Sequence, residues 1–269
     1  MTERSARSET VFVVAGDARI EARVIPAAGE ARTSLVFLHE GLGSAGLWRD
    51  FPDRVASATG LRTIVYSRRG YGASDPVALP RPVTFMHEEA AESLPAVLDA
   101  FDARDCILVG HSDGGSISLL YASASPSDLR GVIALAPHVF VEELTIASIA
   151  KAREAYETGD LRARLARHHG ANVDIAFRGW NDVWLDPAFR SWNIEEAVCR
   201  IEVPILVIQG TNDEYGTLAQ VESIRSHARV SVETALLDAC GHSPQRDQPS
   251  RTLEAIASFV ERIVRTPGS

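Results

Sequence analysis

Gly110-His111-Ser112-Asp113-Gly114 stands directly behind the apolar run Ile107–Val109 and ahead of Gly115 and the helical stretch Ile117–Ala124. A buried strand feeding a Gly-x-Ser-x-Gly turn and then a helix predicts a serine held on a sharp strand-to-helix elbow. A Cβ at either flanking glycine would collide with the turn. The helix N-terminus beneath would offer N–H groups and the positive end of its dipole to an oxyanion. The same letters also suit a plain small-residue turn. The choice between the two depends on whether the chain supplies a base and an orienting acid, because a serine alone is a weak nucleophile.

Working outward, short apolar runs rich in β-branched residues recur at Leu35–Leu38, Thr63–Tyr66, Val132–Leu135, Ile205–Ile208 and Val230–Leu237. Continuous runs of this length predict strands covered on both faces. Val11–Val14 and Ala22–Ile25, joined through Gly16-Asp17, predict an opening hairpin. Helical spacing marks Leu47–Ala58, Phe85–Phe101 and Pro249–Val264, the last with Leu253, Ile256, Phe259, Val260 and Ile263 on one face. Alternating strands and helices imply a mainly parallel sheet with right-handed crossovers. The alternation breaks once, from Phe140 to Val198. That stretch holds helical segments at Ile146–Glu157 and Leu161–His168, then an aromatic part with Phe177, Trp180, Trp184, Phe189 and Trp192. A structureless loop so long is disfavoured, so it is expected to be a helical insertion.

Two further residues complete a catalytic set. Asp213 follows the strand Ile205–Ile208, and His242 follows Val230–Leu237. Both belong in loops at the C-terminal edge of the sheet, where open α/β sheets place their sites. The chain order Ser112, Asp213, His242 is the order that accompanies this elbow. Each residue alone reads as an ordinary turn or surface group; three in order, each behind a strand, read as a triad. In His39-Glu40-Gly41-Leu42-Gly43, behind Leu35–Leu38, Gly41 is the candidate for one oxyanion donor and Asp113 for the other.

On these residues the chain resembles the α/β-hydrolase superfamily over nearly its whole length. Arg68-Arg69-Gly70-Tyr71-Gly72-Ala73-Ser74 resembles the family's R-G-x-G-x-S segment, Leu206–Asp213 its acid-bearing strand end, and Gly241-His242 its histidine loop. Two positions depart from the pattern: Glu40 replaces the glycine usual after His39, and Ser67 replaces an aspartate. The resemblance implies an α/β-hydrolase fold, with a mostly parallel eight-stranded sheet flanked by helices. Residues 1–139 and 199–269 would form the core domain, and 140–198 a helical lid after the sixth strand. It further implies a serine hydrolase acting on a small carboxylic ester or related acyl compound, with no metal and no organic cofactor. Thioester or carbon–carbon hydrolysis by the same triad, and a ligand sensor with little turnover, are the alternatives.

Other features are weaker. Gly41-Leu42-Gly43-Ser44-Ala45-Gly46 is a literal G-x-G-x-x-G with Arg68 and Arg69 behind the next strand, but His39 and Glu40 intervene, and a carboxylate there would repel a pyrophosphate. His168 and His169 are adjacent, so they point apart on a helix and read as surface residues. Asp238 is an alternative acid. Glu40, His138, Trp180, Trp184 and Tyr215 are candidate substrate-binding residues, and an aromatic-walled pocket with Glu40 at its rim favours uncharged substrates unless Arg68, Arg69 or Arg178 compensates.

Composition bounds the rest. The 269 residues carry 36 acidic and 27 basic side chains, a net charge of −9. Nucleic-acid and anionic-membrane binding need a basic footprint that this chain lacks. A small-molecule substrate is therefore the expected partner, with no nucleic acid and no membrane; a second copy of the chain remains open. Cys106, Cys199 and Cys240 are too few and too dispersed for a disulfide framework or a zinc site, and Met1–Ser5 opens no signal peptide, so a cytoplasmic location is expected.

Overall fold

The computed structural model describes residues 9–29 and 32–265, so Met1–Ser5 lie outside the described residues. Strands β1 (Glu9–Ala15) and β2 (Ala18–Ile25) form the antiparallel hairpin, closed by Gly16 at φ 61°. The remaining strands are β3 (Ser34–Leu38), β4 (Arg62–Tyr66), β5 (Cys106–His111), β6 (Leu129–Leu135), β7 (Ile205–Gly210) and β8 (Val232–Leu237). They make one eight-stranded sheet in the order β1-β2-β4-β3-β5-β6-β7-β8. β2 meets β4 antiparallel, and every pairing from β4 to β8 is parallel. Every residue of β3, β5 and β7 is buried, as strands covered on both faces require. β8 is an edge strand with a mixed burial pattern and starts two residues later than its apolar run.

The helices are α1 (Phe51–Thr59), α2 (Phe85–Glu88), α3 (Leu94–Ala100), α4 (Asp113–Ala122), α5 (Glu143–Thr158), α6 (Leu161–His169), α7 (Val173–Trp184), α8 (Glu195–Val198), α9 (Leu218–His227), α10 (Pro244–Asp247) and α11 (Pro249–Arg265). Three differ from the sequence reading. The helix expected over Leu47–Ala58 divides into a 3-10 turn at Ala45–Trp48 and α1, with Arg49 at φ 54° between them. Pro52 lacks an N–H and fits only the first turn of a helix, so α1 starts there. α2 and α3 join through a wider π turn at Glu89–Ser93, where Pro95 cannot donate into the preceding turn. α4 starts four residues before Ile117. Gly114 and Gly115 read as turn residues from sequence, yet they are helical because the helix must press its first turn against β3.

α1 and α11 cover one face of the sheet. Phe51, Val55, Ile256, Phe259 and Val260 there pack on Leu35, Phe37, Ile107 and Val109. The other face carries α2, α3, α4 and α9, together with α5–α8, which all lie between β6 and β7. An isolated bridge between Phe140 and Asn193 joins the two ends of that insertion. Trp184, Phe189 and Trp192 pack on one another and into the same core cluster. Their burial holds an otherwise strandless stretch of chain in place. Among the described residues, no helix is long and apolar enough to cross a membrane.

Candidate active site

Ser112 occupies the turn between β5 and α4 at φ 53° and ψ −119°, a backbone region that L-residues rarely adopt. Two glycines make that turn possible. A Cβ on Gly110 would lie 2.2 Å from the Gly114 carbonyl oxygen, and one on Gly114 would lie 2.2 Å from that of Leu38. The Ser112 N–H donates to the Leu135 carbonyl at 2.8 Å, tying the elbow to the end of β6.

His242 Nε2 lies 2.9 Å from Ser112 Oγ, and its Nδ1 lies 2.9 Å from both carboxylate oxygens of Asp213. A carboxylate accepts, so Nδ1 carries the hydrogen and Nε2 is left to accept from the serine. Asp213 is itself held by Gln209 Nε2 at 2.7 Å and by the N–H groups of Tyr215 at 2.7 Å and Gly216 at 3.1 Å. Burial alone would raise its carboxyl. The hydrogen bond and charge of His242, together with the Tyr215 amide, outweigh that and hold it below the usual carboxylate range. Asp238 is exposed, and its backbone carbonyl accepts from Gln248.

Ser112 and His242 open onto a cavity of about 100 Å³. Its walls include all five sequence candidates, Glu40, His138, Trp180, Trp184 and Tyr215, and both candidate donor residues, Gly41 and Asp113. Asp113 is the first residue of α4, so its N–H has no acceptor within the helix. Gly41 must be glycine, because a Cβ would lie 2.1 Å from the Trp180 indole. Trp184 Nε1 donates to Asp113 Oδ1 at 3.2 Å, joining the insertion to the elbow helix. Burial raises the Asp113 carboxyl, against the opposing charge of Arg68. Burial, with the charge of His242, pushes His138 down to about 3, so His138 is neutral at pH 7. Leu42, Thr145, Ile149 and Ser243 also line the cavity. Their sequence gave no signal, because they are ordinary core or loop residues until the insertion folds over the sheet edge.

Other residues fall elsewhere. Trp192 packs on Trp184 and Phe189, outside the cavity wall. Arg68, Arg69 and Arg178 do not line it either. Arg68 is buried and donates to the Glu40 carbonyl, Arg69 donates to Asp17 and Pro76, and Arg178 is exposed. His168 is exposed, but the expectation that both neighbouring histidines are surface residues fails for His169. Its Nδ1 accepts from the Gly72 N–H at 3.0 Å and its Nε2 donates to the Leu42 carbonyl at 3.1 Å. The G-x-G-x-x-G segment is filled by the protein itself: Trp180 occupies the Cβ position of Gly41, and the Glu40 carboxylate that of Gly43. Ser67 donates to Glu21 Oε2 at 2.7 Å and accepts from the Ala45 N–H, so β2 supplies the carboxylate missing at position 67.

Residues 35–255 match the model of the Alpha/beta hydrolase family. Among curated proteins, the chain is 32% identical over 106 residues to a putative carbamate hydrolase RutD of Pantoea ananatis, covering 39% of this chain and 37% of that protein. It is 32% identical over 129 residues to a 2-hydroxy-6-oxononadienedioate/2-hydroxy-6-oxononatrienedioate hydrolase of Paraburkholderia xenovorans, covering 47% and 43%. The chain thus matches less than half the length of each. The crystal structure of a proline iminopeptidase from Mycobacterium smegmatis superposes with a TM-score of 0.73 at 18% identity, over 95% of this chain and 99% of that one. The match runs from β3 into α11 and takes in the elbow, the Asp213 strand end and the His242 loop, so the chain belongs to the alpha/beta hydrolase family.

Proposed function

We propose that the protein is a serine hydrolase that cleaves a small carboxylic ester or related acyl compound. The observation that carries this reading is the unbroken run of hydrogen bonds from Asp213 through His242 to Ser112, opening onto a cavity. Ser112 Oγ bonds to the substrate carbonyl carbon while His242 Nε2 takes its proton. Asp213 holds the imidazole in the required tautomer and stabilises the imidazolium. The N–H groups of Gly41 and Asp113 receive the oxyanion. The tetrahedral intermediate expels the alcohol, which takes the proton back from His242. Water, deprotonated by the same imidazole, then releases the carboxylic acid and restores Ser112.

Residues 140–198 act as a lid in this scheme. Trp180 and Trp184, with Ile149 and Leu42, wall a small apolar space suited to a short uncharged acyl group. A cytoplasmic location belongs to the same reading, resting on the three free cysteines.

A second reading, carbon–carbon hydrolysis by the same residues, is favoured by the name of the Paraburkholderia relative. A fluorophosphonate probe followed by a panel of esters, thioesters and diketones tests both. The expected result is one adduct, on Ser112, and multiple turnover of a short-chain ester. An adduct elsewhere, or none on folded protein, rejects the nucleophile. Turnover of the diketone alone selects the second reading, and stoichiometric modification without turnover selects a sensor.

A further inference from the structure

His111, the residue before the nucleophile, is buried and reaches across the sheet edge to the backbone of His242. Its Nε2 lies 2.7 Å from the His242 carbonyl oxygen. A carbonyl only accepts, so this nitrogen carries a hydrogen and donates it. The other ring nitrogen, Nδ1, lies 3.4 Å from Glu40 Oε2 and 3.2 Å from Gln245 Nε2. Glu40 is in turn 3.8 Å from Arg246 Nη2 through its other oxygen. Burial would raise the Glu40 carboxyl, but the hydrogen bond and charge of His111, with the charge of Arg246, hold it well below the usual carboxylate range. The indole of Trp48 packs edge-on to the His111 ring, which is thereby confined on a further side.

The loop carrying His242 has other anchors, among them the Asn212 N–H, which donates to the Cys240 carbonyl at 2.9 Å. The Gly241 N–H donates to Asp247 and the His242 N–H donates to Glu214 at 3.2 Å. The bond from His111 is the one that reaches the carbonyl of residue 242 from the buried side. Glu40 stands beside the other nitrogen of the same ring, at a position where the family pattern has glycine.

We propose that Glu40 and His111 form a positioning pair that fixes the backbone of His242, so that its imidazole stays in line with Ser112. The proposal rests on the reading of Ser112 and His242 as nucleophile and base. Both residues also line the cavity, but the role proposed here acts through the His242 backbone. Glu40 sets the His111 ring, and His111 sets the carbonyl of the base. A misplacement of about 1 Å at a reacting group is enough to cost on the order of 10²-fold in rate.

The test compares wild type with His111→Ala, His111→Gln and Glu40→Gln. It measures kcat and KM on the best ester of the panel, the rate constant of fluorophosphonate labelling at Ser112, and the thermal midpoint. His111→Ala is expected to lower kcat and the labelling rate together by about 10- to 100-fold, with KM little changed. His111→Gln, whose amide N–H can serve the same carbonyl, is expected to recover most of that loss. Glu40→Gln is expected to slow labelling by several-fold, again without moving KM. Folded His111→Ala that labels at the wild-type rate overturns the proposal. If that variant does not fold, Glu40→Gln decides, and an unchanged labelling rate there overturns it. A wild type that takes no label at Ser112 rejects the underlying reading and the pair with it. A labelled wild type with unaffected variants rejects the pair alone.

Discussion

Asp213 sits between two opposing effects. Its carboxylate is buried, which disfavours charge, yet it accepts from two backbone N–H groups, from Gln209 and from His242. The satisfied hydrogen bonds outweigh desolvation, so the ionised form is available to hold the Nδ1–H tautomer of His242. In Asp213→Asn an amide replaces that acceptor, and the imidazole can turn its hydrogen toward Ser112, where it cannot act as a base. The variant is expected to fold and to lose about 10⁴-fold in kcat, the loss seen when a triad aspartate is replaced in this way. Asp238→Asn, at an exposed position beyond β8, is expected to keep near wild-type activity. Esterase kinetics on the two purified variants distinguish them, and the reverse pattern would reject Asp213 as the acid.

At the scale of elements, the site depends on how closely α4 approaches the sheet. Every residue of α4 is buried, and its first turn lies over β3. A Cβ on Gly114 would sit 2.2 Å from the backbone carbonyl of Leu38, and backbone cannot swing aside as a flexible side chain can. Gly114→Ala is expected to push α4 off β3, costing about 3 kcal/mol of stability and displacing Ser112. Gly46→Ala is the control. Its Cβ would find only Ser44 Oγ at 3.9 Å, an ordinary contact, and a change within about 0.5 kcal/mol is expected. Urea denaturation of both variants makes the comparison, and equal midpoints would mean that α4 has room the structure does not indicate.

Across the whole molecule, three buried histidines couple folding to pH. His39 Nε2 accepts from the Arg68 N–H at 3.0 Å, and its Nδ1 donates to the Glu40 carbonyl at 2.7 Å. His169 makes the same two kinds of bond to Gly72 and Leu42. Protonating either ring would break the bond it accepts. His138 is buried beside His242 and held down to about 3. Burial is the largest cause of the lowered pKa in all three. Each folded pKa is below the unfolded value of about 6.5, so below that pH the unfolded chain binds more protons than the native one. Stability is full above about pH 6.5 and falls as pH drops through it, with His138, held down to about 3, contributing about 1.4 kcal/mol per pH unit and His39 and His169 adding in the same direction. Denaturant titrations at pH 7, 6 and 5 are expected to show that loss, and His138→Gln is expected to make the dependence shallower. A flat profile from pH 7 to 5 would contradict the neutral, buried state of these side chains.

Much of the molecule is determined locally. The apolar runs, the glycines around Ser112 and the strand-end positions of Asp213 and His242 follow from short-range sterics and from burial of strands on both faces, and these can be read along the chain. The start of α1 is local too, since Pro52 marks a first helical turn, but that of α4 could not be read so. Gly114 reads as a turn residue in isolation and is helical in place, because the neighbouring strand decides it. The side chains around Ser112 separate in the same way. Residues with a chemical signature, such as Glu40, His138 and Trp184, stand out in the sequence. Thr145 and Ile149 do not, since a helix from the insertion must first be laid over the sheet edge. The positions of His169 and of the bond from His111 to the His242 backbone are decided by tertiary structure alone. A hydrogen bond between residues 131 positions apart leaves no local pattern, and a histidine becomes a buried acceptor only when distant backbone is packed against it.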